Sequence, residues 1–159
     1  MNKGLFTSDN AEWETPQGLF DTLNEEFGFN LDAAATAENA KCENYWTKED
    51  DALTKPWAGH VFCNPPYGRE IGKFVEKGLK EANHGSIVVM LLPARTDTRW
   101  WHDYVMLASE IRLIKGRLKF GDSKNSAPFP SCIVVFRGLT WSDIYVSAID
   151  TKGNLTERR

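Results

Sequence analysis

The stretch "SIVVMLLP" (residues 86–93) decides how this chain is read. It is an unbroken apolar run from Ile87 to Leu92, bounded by Gly85 and Pro93. A half-buried strand alternates apolar and polar residues, whereas a strand apolar throughout fits a sheet covered on both faces. Working outward, residues 70–83 place Ile71, Phe74, Val75, Leu79 and Ala82 on one side of an amphipathic helix. "HVFCN" (60–64) before it reads as a second strand that ends on Asn64, and "FNLDAAA" (29–35) as a short strand ending on Asp32. Within "WETPQGLFDTLNEEFGF" (13–29), Thr15 suits a helix N-cap and Pro16 the first helical position, where its missing N–H costs nothing. Leu19, Phe20, Leu23 and Phe27 then share a face, and Gly28 ends the helix.

Downstream, a helix is expected near 97–108, a strand in "EIRLIKG" (110–116) and a loop in "RLKFGDSKNSAPFP" (117–130). "SCIVVFRG" (131–138) and "SDIYVSAI" (142–149) read as further strands. Residues 36–58 are polar and irregular, with a short helix expected near 36–43. Strands alternating with helices predict an α/β fold with a largely parallel central sheet, with antiparallel closure as an option. In such sheets ligands sit beyond the carboxyl ends of the strands, and Asp32, Asn64 and Pro93 all fall there. A length of 159 residues suits one domain, taken as residues 1–149 with a tail at 150–159 expected to fray.

Composition narrows the function class. No apolar run is long enough to span a membrane, and "MNKGLFTSDNAEW" carries no signal-peptide core, so a cytoplasmic protein is expected. Cys42, Cys63 and Cys132 form no CxxC pair, and the three histidines show no metal-ligand spacing, so reduced thiols and no metal are expected. Residues 1–60 hold 4 Lys/Arg against 12 Asp/Glu, while residues 95–124 hold 7 against 4. That asymmetry is compatible with one nucleic-acid-binding face, and equally with ordinary solvated surface.

"VFCNPPYGRE" (61–70) carries the chemistry. Pro65 and Pro66 fix their own φ and push the preceding residue to an extended conformation, so Asn64 and Pro65 form one rigid arc. The arc can aim the Asn64 side-chain oxygen and the Pro65 carbonyl at one point, with Tyr67 as a flat face beside it. Two convergent acceptors suit a planar ring bearing an NH₂ group. The lone pair of an exocyclic adenine amine is conjugated into its ring. Acceptors on both hydrogens favour a tetrahedral nitrogen and free that pair, by fixed dipoles rather than by base catalysis.

Asn-Pro-Pro-Tyr at a strand end resembles the catalytic motif of S-adenosylmethionine-dependent amino-methyltransferases. Together with "WETPQGLF", "FNLDAAA", "DALTKPWAGHVFCNPPYG", "LLPARTDTRWWH", "IKGRLKF" and "APFPSCIVVF", it resembles the phage-encoded, Dam-like DNA N6-adenine methyltransferases over roughly residues 12–137. The resemblance implies a single-domain Rossmann-like scaffold, S-adenosylmethionine as methyl donor and an adenine flipped from double-stranded DNA. It implies amine chemistry at Asn64, Pro65, Pro66 and Tyr67, and cofactor contacts at Trp13, Thr15, Pro16, Asp32, Ala33, Ala34 and Asn64. The glycine-rich loop common in the wider superfamily is absent, its place taken by Ala33, Ala34 and Ala35. Asp51 matches the acidic position that reads the cofactor's adenine, with Asp50 as its competitor.

Arg95, Arg99, Arg117 and Lys119 are candidate phosphate contacts, and at least one of Trp100 and Trp101 is expected to be helix packing. Phe129 falls where the resemblance puts the far wall of the base pocket, opposite Tyr67, with Phe120 as its competitor. Target recognition is expected from loops near 95–103 and 116–130; GATC as target and protection of phage DNA from restriction are implied by the resemblance alone. Methylation of cytosine N4, of RNA or of a protein amine is the alternative within enzymes. A catalytically silent nucleic-acid-binding module on the same scaffold is the alternative outside them.

Overall fold

A computed structural model describes residues 13–138 and 143–156. The start of the chain, Ser142 of the last expected strand and the final three residues lie outside the described part. Six strands form one sheet: β1 (Leu31–Asp32), β2 (His60–Cys63), β3 (Ile87–Pro93), β4 (Glu110–Ile114), β5 (Ser131–Phe136) and β6 (Tyr145–Ile149). Their order across the sheet is β1-β2-β3-β5-β4-β6. β1 with β2, β2 with β3, and β4 with β6 pair in parallel; β5 runs antiparallel to both of its neighbours. The antiparallel strand therefore sits inside the sheet rather than at its edge. Five strands point their carboxyl ends one way, and the β4–β5 connection, residues 115–130, returns across that same end.

The apolar run that opened the reading is β3, and Val88 to Leu92 are fully buried. Its two faces meet different helices. Helix α1 (Gln17–Phe27) covers the face carrying Phe62, where the Phe20 and Phe62 ring centroids lie 5.2 Å apart. Helix α2 (Ile71–Asn83) covers the other, with Gly78 set against Val88, Met90 and Phe136. Burial of β3 on both sides is thus the cause of its unbroken hydrophobicity. At the far end of α1, Glu26 makes a bidentate pair with Arg112 of β4 at 2.6 and 2.7 Å. Arg112 is itself tied to Glu110. This network fixes the tilt of α1 across the sheet.

Four local expectations change. Pro16, not Thr15, is the N-cap of α1, which begins at Gln17, because the Thr15 hydroxyl is engaged elsewhere. β1 ends on Asp32 as expected but is only two residues long: past Asp32 the chain turns away, and residues 44–46 come back to bond Asp32 through its own N–H and carbonyl. No helix forms at 36–43. Thr36 and Asn39 trade side-chain bonds with each other's backbone N–H at 2.7 and 3.2 Å, a local alternative that competes with helix propagation. The helix expected at 97–108 is split into α3 (Arg99–Asp103), capped by the Thr98 hydroxyl, and a 3-10 turn at Val105–Leu107. The break falls at Tyr104, whose hydroxyl donates to Glu76 of α2 at 2.8 Å. In the stretch expected to fray, residues 150–156 turn back on β6, with Thr156 N donating to the Ala148 carbonyl.

A Cβ at Gly78 would lie 2.9 Å from Met90 Sδ and 3.2 Å from a Val88 methyl. Gly78→Val is therefore expected to destabilise the fold by about 1–3 kcal/mol, helix propensity notwithstanding. Urea unfolding of variant and wild type measures it; an unchanged midpoint would show that α2 shifts freely on the sheet.

Candidate functional site

At the carboxyl end of β1 and β2 lies a cavity of about 360 Å³. Its walls come from the chain before α1, the turn after β1, residues 46–53, the start of the Asn-Pro-Pro-Tyr arc and the first half of α2. Of the sequence-predicted cofactor residues, Trp13, Thr15, Asp32, Ala33, Ala34, Asp51 and Asn64 all line it, while Pro16 does not. Asp50 does not line the cavity: its carboxylate folds back on Thr47, accepting from the backbone N–H at 2.8 Å and the hydroxyl at 3.0 Å. Asp51 faces the cavity with φ of +56°, the one described non-glycine residue with positive φ. Holding an ordinary residue there costs on the order of 1 kcal/mol, and such strain collects at functional sites.

The Asn64 side chain is gripped from one side. Its Nδ2 donates to the Trp13 carbonyl and, at 3.0 Å, to the Thr15 hydroxyl. Both amide protons are thereby used, which settles which way the amide faces. The Oδ1 is buried and has no hydrogen-bond partner among the described residues. A buried acceptor left in this way costs roughly 1–3 kcal/mol, and on a cavity wall it can accept from a bound group. The adjacent Glu14 carbonyl accepts from Gly121 N at 2.8 Å, so residues 13–15 are clamped between Asn64 and the β4–β5 connection.

Asp32 ends β1 almost wholly buried. Its oxygens accept from the backbone N–H of Ala34 at 3.4 Å and of Lys41 at 3.0 Å. Burial outweighs these bonds and pushes its pKa up from 3.8 to about 6. Around it the walls are apolar and partly flat, with Trp46, Leu53 and Phe74 joining the small alanines. Trp46 sits in the irregular 36–58 stretch, where no periodicity could single it out. Its indole donates to the Pro56 carbonyl at 3.0 Å, which holds the ring upright in the wall. Lys41 and Glu70 are likewise cavity residues that the sequence reading missed.

Tyr67 stands on the other side of Asn64, buried, with its hydroxyl donating to the Leu91 carbonyl at 3.1 Å. It belongs to a cluster with Trp13, Phe120 and Phe129. Phe129 lies 5.5 Å from Tyr67 at 70° between planes, and Phe120 lies 6.3 Å away at 89°. Both competing phenylalanines are therefore present, Phe120 buried and Phe129 half-buried. The rings meet edge to face, so no planar slot is open between Tyr67 and Phe129. Trp13 packs edge-on against both phenylalanines and also walls the cavity, so it partitions the two spaces.

Arg95, Arg99, Arg117 and Lys119 are exposed, on the segments that follow β3 and β4. Arg95 lies over the Phe129 ring at 5.8 Å. Arg117 and Lys119 share a second cleft with Pro16 and Thr151. Trp101 is buried and Trp100 packs against Gly72, so both serve helix packing. Among the described residues no cluster of His, Cys, Asp and Glu could hold a metal ion, and no helix is long and apolar enough to cross a membrane.

The buried Asp32 makes a signed prediction. Because the folded protein holds this proton up to about pH 6 while the unfolded chain releases it near 3.8, stability falls as pH rises between those values and is flat above. This should take on the order of 2 kcal/mol from the wild type between pH 4.5 and 7, a loss that Asp32→Asn should remove. Urea titrations of both proteins at the two pH values test it. A variant that keeps the full slope would mean that Asp32 is not its source.

A protein 36% identical to this chain over 121 residues is the DNA N-6-adenine-methyltransferase of Escherichia phage T1. That alignment covers 73% of this chain and 50% of the phage protein, so the chain matches about half of that relative's length. The DNA N-6-adenine-methyltransferase of Haemophilus phage HP1 is 32% identical over 139 residues, covering 81% of this chain and 80% of the relative. The family model for DNA N-6-adenine-methyltransferase (Dam) matches residues 4–157, nearly the whole chain, and the protein belongs to that family.

Proposed function

We propose that the chain transfers a methyl group from S-adenosylmethionine to the N6 amine of an adenine flipped out of duplex DNA, on a Rossmann-like scaffold. The observation that carries this reading is the Asn64 side chain: both amide protons are held by the protein and the buried oxygen is left without a partner. An acceptor fixed in that way is preorganised for one N–H of an incoming amine. The Pro65 carbonyl, next on the rigid arc, takes the other.

The cavity fits the cofactor. Its volume of about 360 Å³ falls within the range of small-molecule sites, roughly 300–1,000 Å³. Asp32 offers a buried anion to a positively charged ligand, Asp51 an acceptor at the rim, and Trp46 with Phe74 apolar walls for a purine. When bound, S-adenosylmethionine supplies an electrophilic methyl group on a sulfonium centre. Asn64 and Pro65 orient the amine and stabilise the positive charge that builds on its nitrogen. Thr15 and the Trp13 carbonyl hold the Asn64 amide against rotation. No side chain is assigned as base, because the methylated amine is acidic enough to lose its proton to water.

For the adenine to stack on Tyr67, Phe129 must leave its edge-on contact, since the closed cluster occupies that space. Phe129 is placed to move: it is half-buried, and the segment before it is largely exposed from Gly121 to Ser126. Arg95, Arg99, Arg117 and Lys119 then meet phosphates from the same end of the sheet. Two of the relatives are phage proteins, which is in keeping with action in the cytoplasm of a bacterial host.

The test is methyl transfer from labelled S-adenosylmethionine to unmethylated DNA, with nucleosides separated afterwards. Wild type should yield N6-methyladenine, and Asn64→Ala should lose at least about 100-fold in kcat. Label appearing on cytosine, on RNA or on protein would redirect the substrate, and cofactor-independent DNA binding alone would point to a silent module. Thr15→Val is expected to cut kcat by roughly 10-fold while leaving cofactor affinity nearly unchanged, with Thr15→Ser restoring most of it. Weaker cofactor binding at unaltered kcat would instead make Thr15 a cofactor contact.

A further inference from the structure

We propose that Lys41 is the anchor for the carboxylate at the amino-acid end of S-adenosylmethionine, with Asp32 holding the adjacent ammonium. The inference rests on the cofactor reading above. Lys41 lines the cavity, yet its side chain is only 10% exposed. A nearly buried ammonium is stable only when its donors are matched. An ammonium has three N–H donors. Among the described residues, one goes to Gln17 Oε1 at 2.8 Å. The neighbouring carboxylate, on Glu14, is 3.8 Å away, beyond hydrogen-bond reach, and its side chain is 46% exposed. The ammonium's other donors have no hydrogen-bond partner among the described residues, Glu14 standing only at ion-pair distance, so a ligand carboxylate in the cavity would complete the set.

Position supports the same assignment. The backbone N–H of Lys41 donates to Asp32 Oδ2 at 3.0 Å, and its ammonium is near enough to favour the Asp32 carboxylate through space, so one cavity wall carries a buried negative group and a positive group. An α-amino acid is a zwitterion with the same two charges in the same proximity. The other cation on the cavity wall, Lys48, is exposed, where water and salt screen it. Lys41 also reaches across from the turn after β1 to the residues at the start of α1. A merely structural role, pinning those two segments together, is therefore the competing explanation, and the experiment must separate the two.

Calorimetric binding of three probes does so: S-adenosylhomocysteine, its decarboxylated analogue that keeps the ammonium, and 5′-methylthioadenosine, which lacks the amino-acid end. Wild type should prefer S-adenosylhomocysteine to the decarboxylated analogue by roughly 10–100-fold. Lys41→Met should lose that preference while binding 5′-methylthioadenosine within about twofold of wild type, and Lys41→Arg should keep part of it. Equal weakening of all three probes by Lys41→Met would establish the structural pin and overturn the proposal. So would a preference that survives in Lys41→Met, or a wild type indifferent to the carboxylate, a result that stands even if Lys41→Met fails to fold. Wild type binding none of the probes would refute the cofactor reading itself, an outcome distinct from the other three.

Discussion

Everything at this site depends on the grip that Trp13 and Thr15 exert on one amide. An asparagine amide is free to present either its oxygen or its nitrogen, and only the oxygen can accept a proton from an amine. By taking both protons of the Asn64 nitrogen, the chain before α1 removes that freedom. The proline pair fixes where the backbone goes, but the backbone alone does not orient the side chain. The orientation comes from residues some fifty positions earlier, which α1 carries to the end of β2 by packing Phe20 on Phe62. The Glu26–Arg112 pair at the opposite end of that helix holds it there.

Around that amide the protein separates two spaces with different physics. The cavity beside it pairs a buried carboxylate on Asp32 with apolar walls, which suits a compact cation carrying a flat ring. The aromatic cluster on the other side is closed on itself and screens Tyr67 from water. Trp13 belongs to both. Since the Trp13 carbonyl also holds Asn64, and the Glu14 carbonyl is bonded to Gly121, the cavity, the Asn64 amide and the β4–β5 connection share one short stretch of backbone. The antiparallel β5 makes this possible. Its reversal sends residues 115–130 across the carboxyl end of the sheet, where a fully parallel arrangement would need a helix on one face instead.

Much of this was legible in the residues. The unbroken run at 86–93 announced a strand buried on both faces, and the alternation around it announced the layered α/β order. Those signals are local, because burial on one or both faces leaves its period in the sequence. The Asn-Pro-Pro-Tyr arc could be read as a pair of fixed acceptors, since proline constrains φ wherever it occurs. The small alanines after Asp32 and the acidic residue before the second strand were singled out by the family resemblance alone, and the fold puts them on the cavity wall.

What the tertiary structure alone decided were the matters that depend on partners distant in sequence. Thr15 looked like a helix cap because capping is the local use of a threonine before proline; its hydroxyl instead serves Asn64, which no local rule connects to it. Asp51 was preferred to its neighbour Asp50 only by its place in the motif; Thr47 bonds the Asp50 carboxylate, and a left-handed turn puts Asp51 on the cavity wall. Lys41 and Trp46 lie in a stretch without periodicity, and only the return of residues 44–46 to Asp32 places them in the cavity wall. The internal position of β5 was equally hidden, for strand direction is set by pairing rather than by composition. By itself the sequence determined the main strands, the two long helices and which short arc is rigid, since these follow from local sterics and the period that burial imposes. The direction in which the key amide faces, and the charges that surround the cavity, were decided only when long-range hydrogen bonds brought separate segments together.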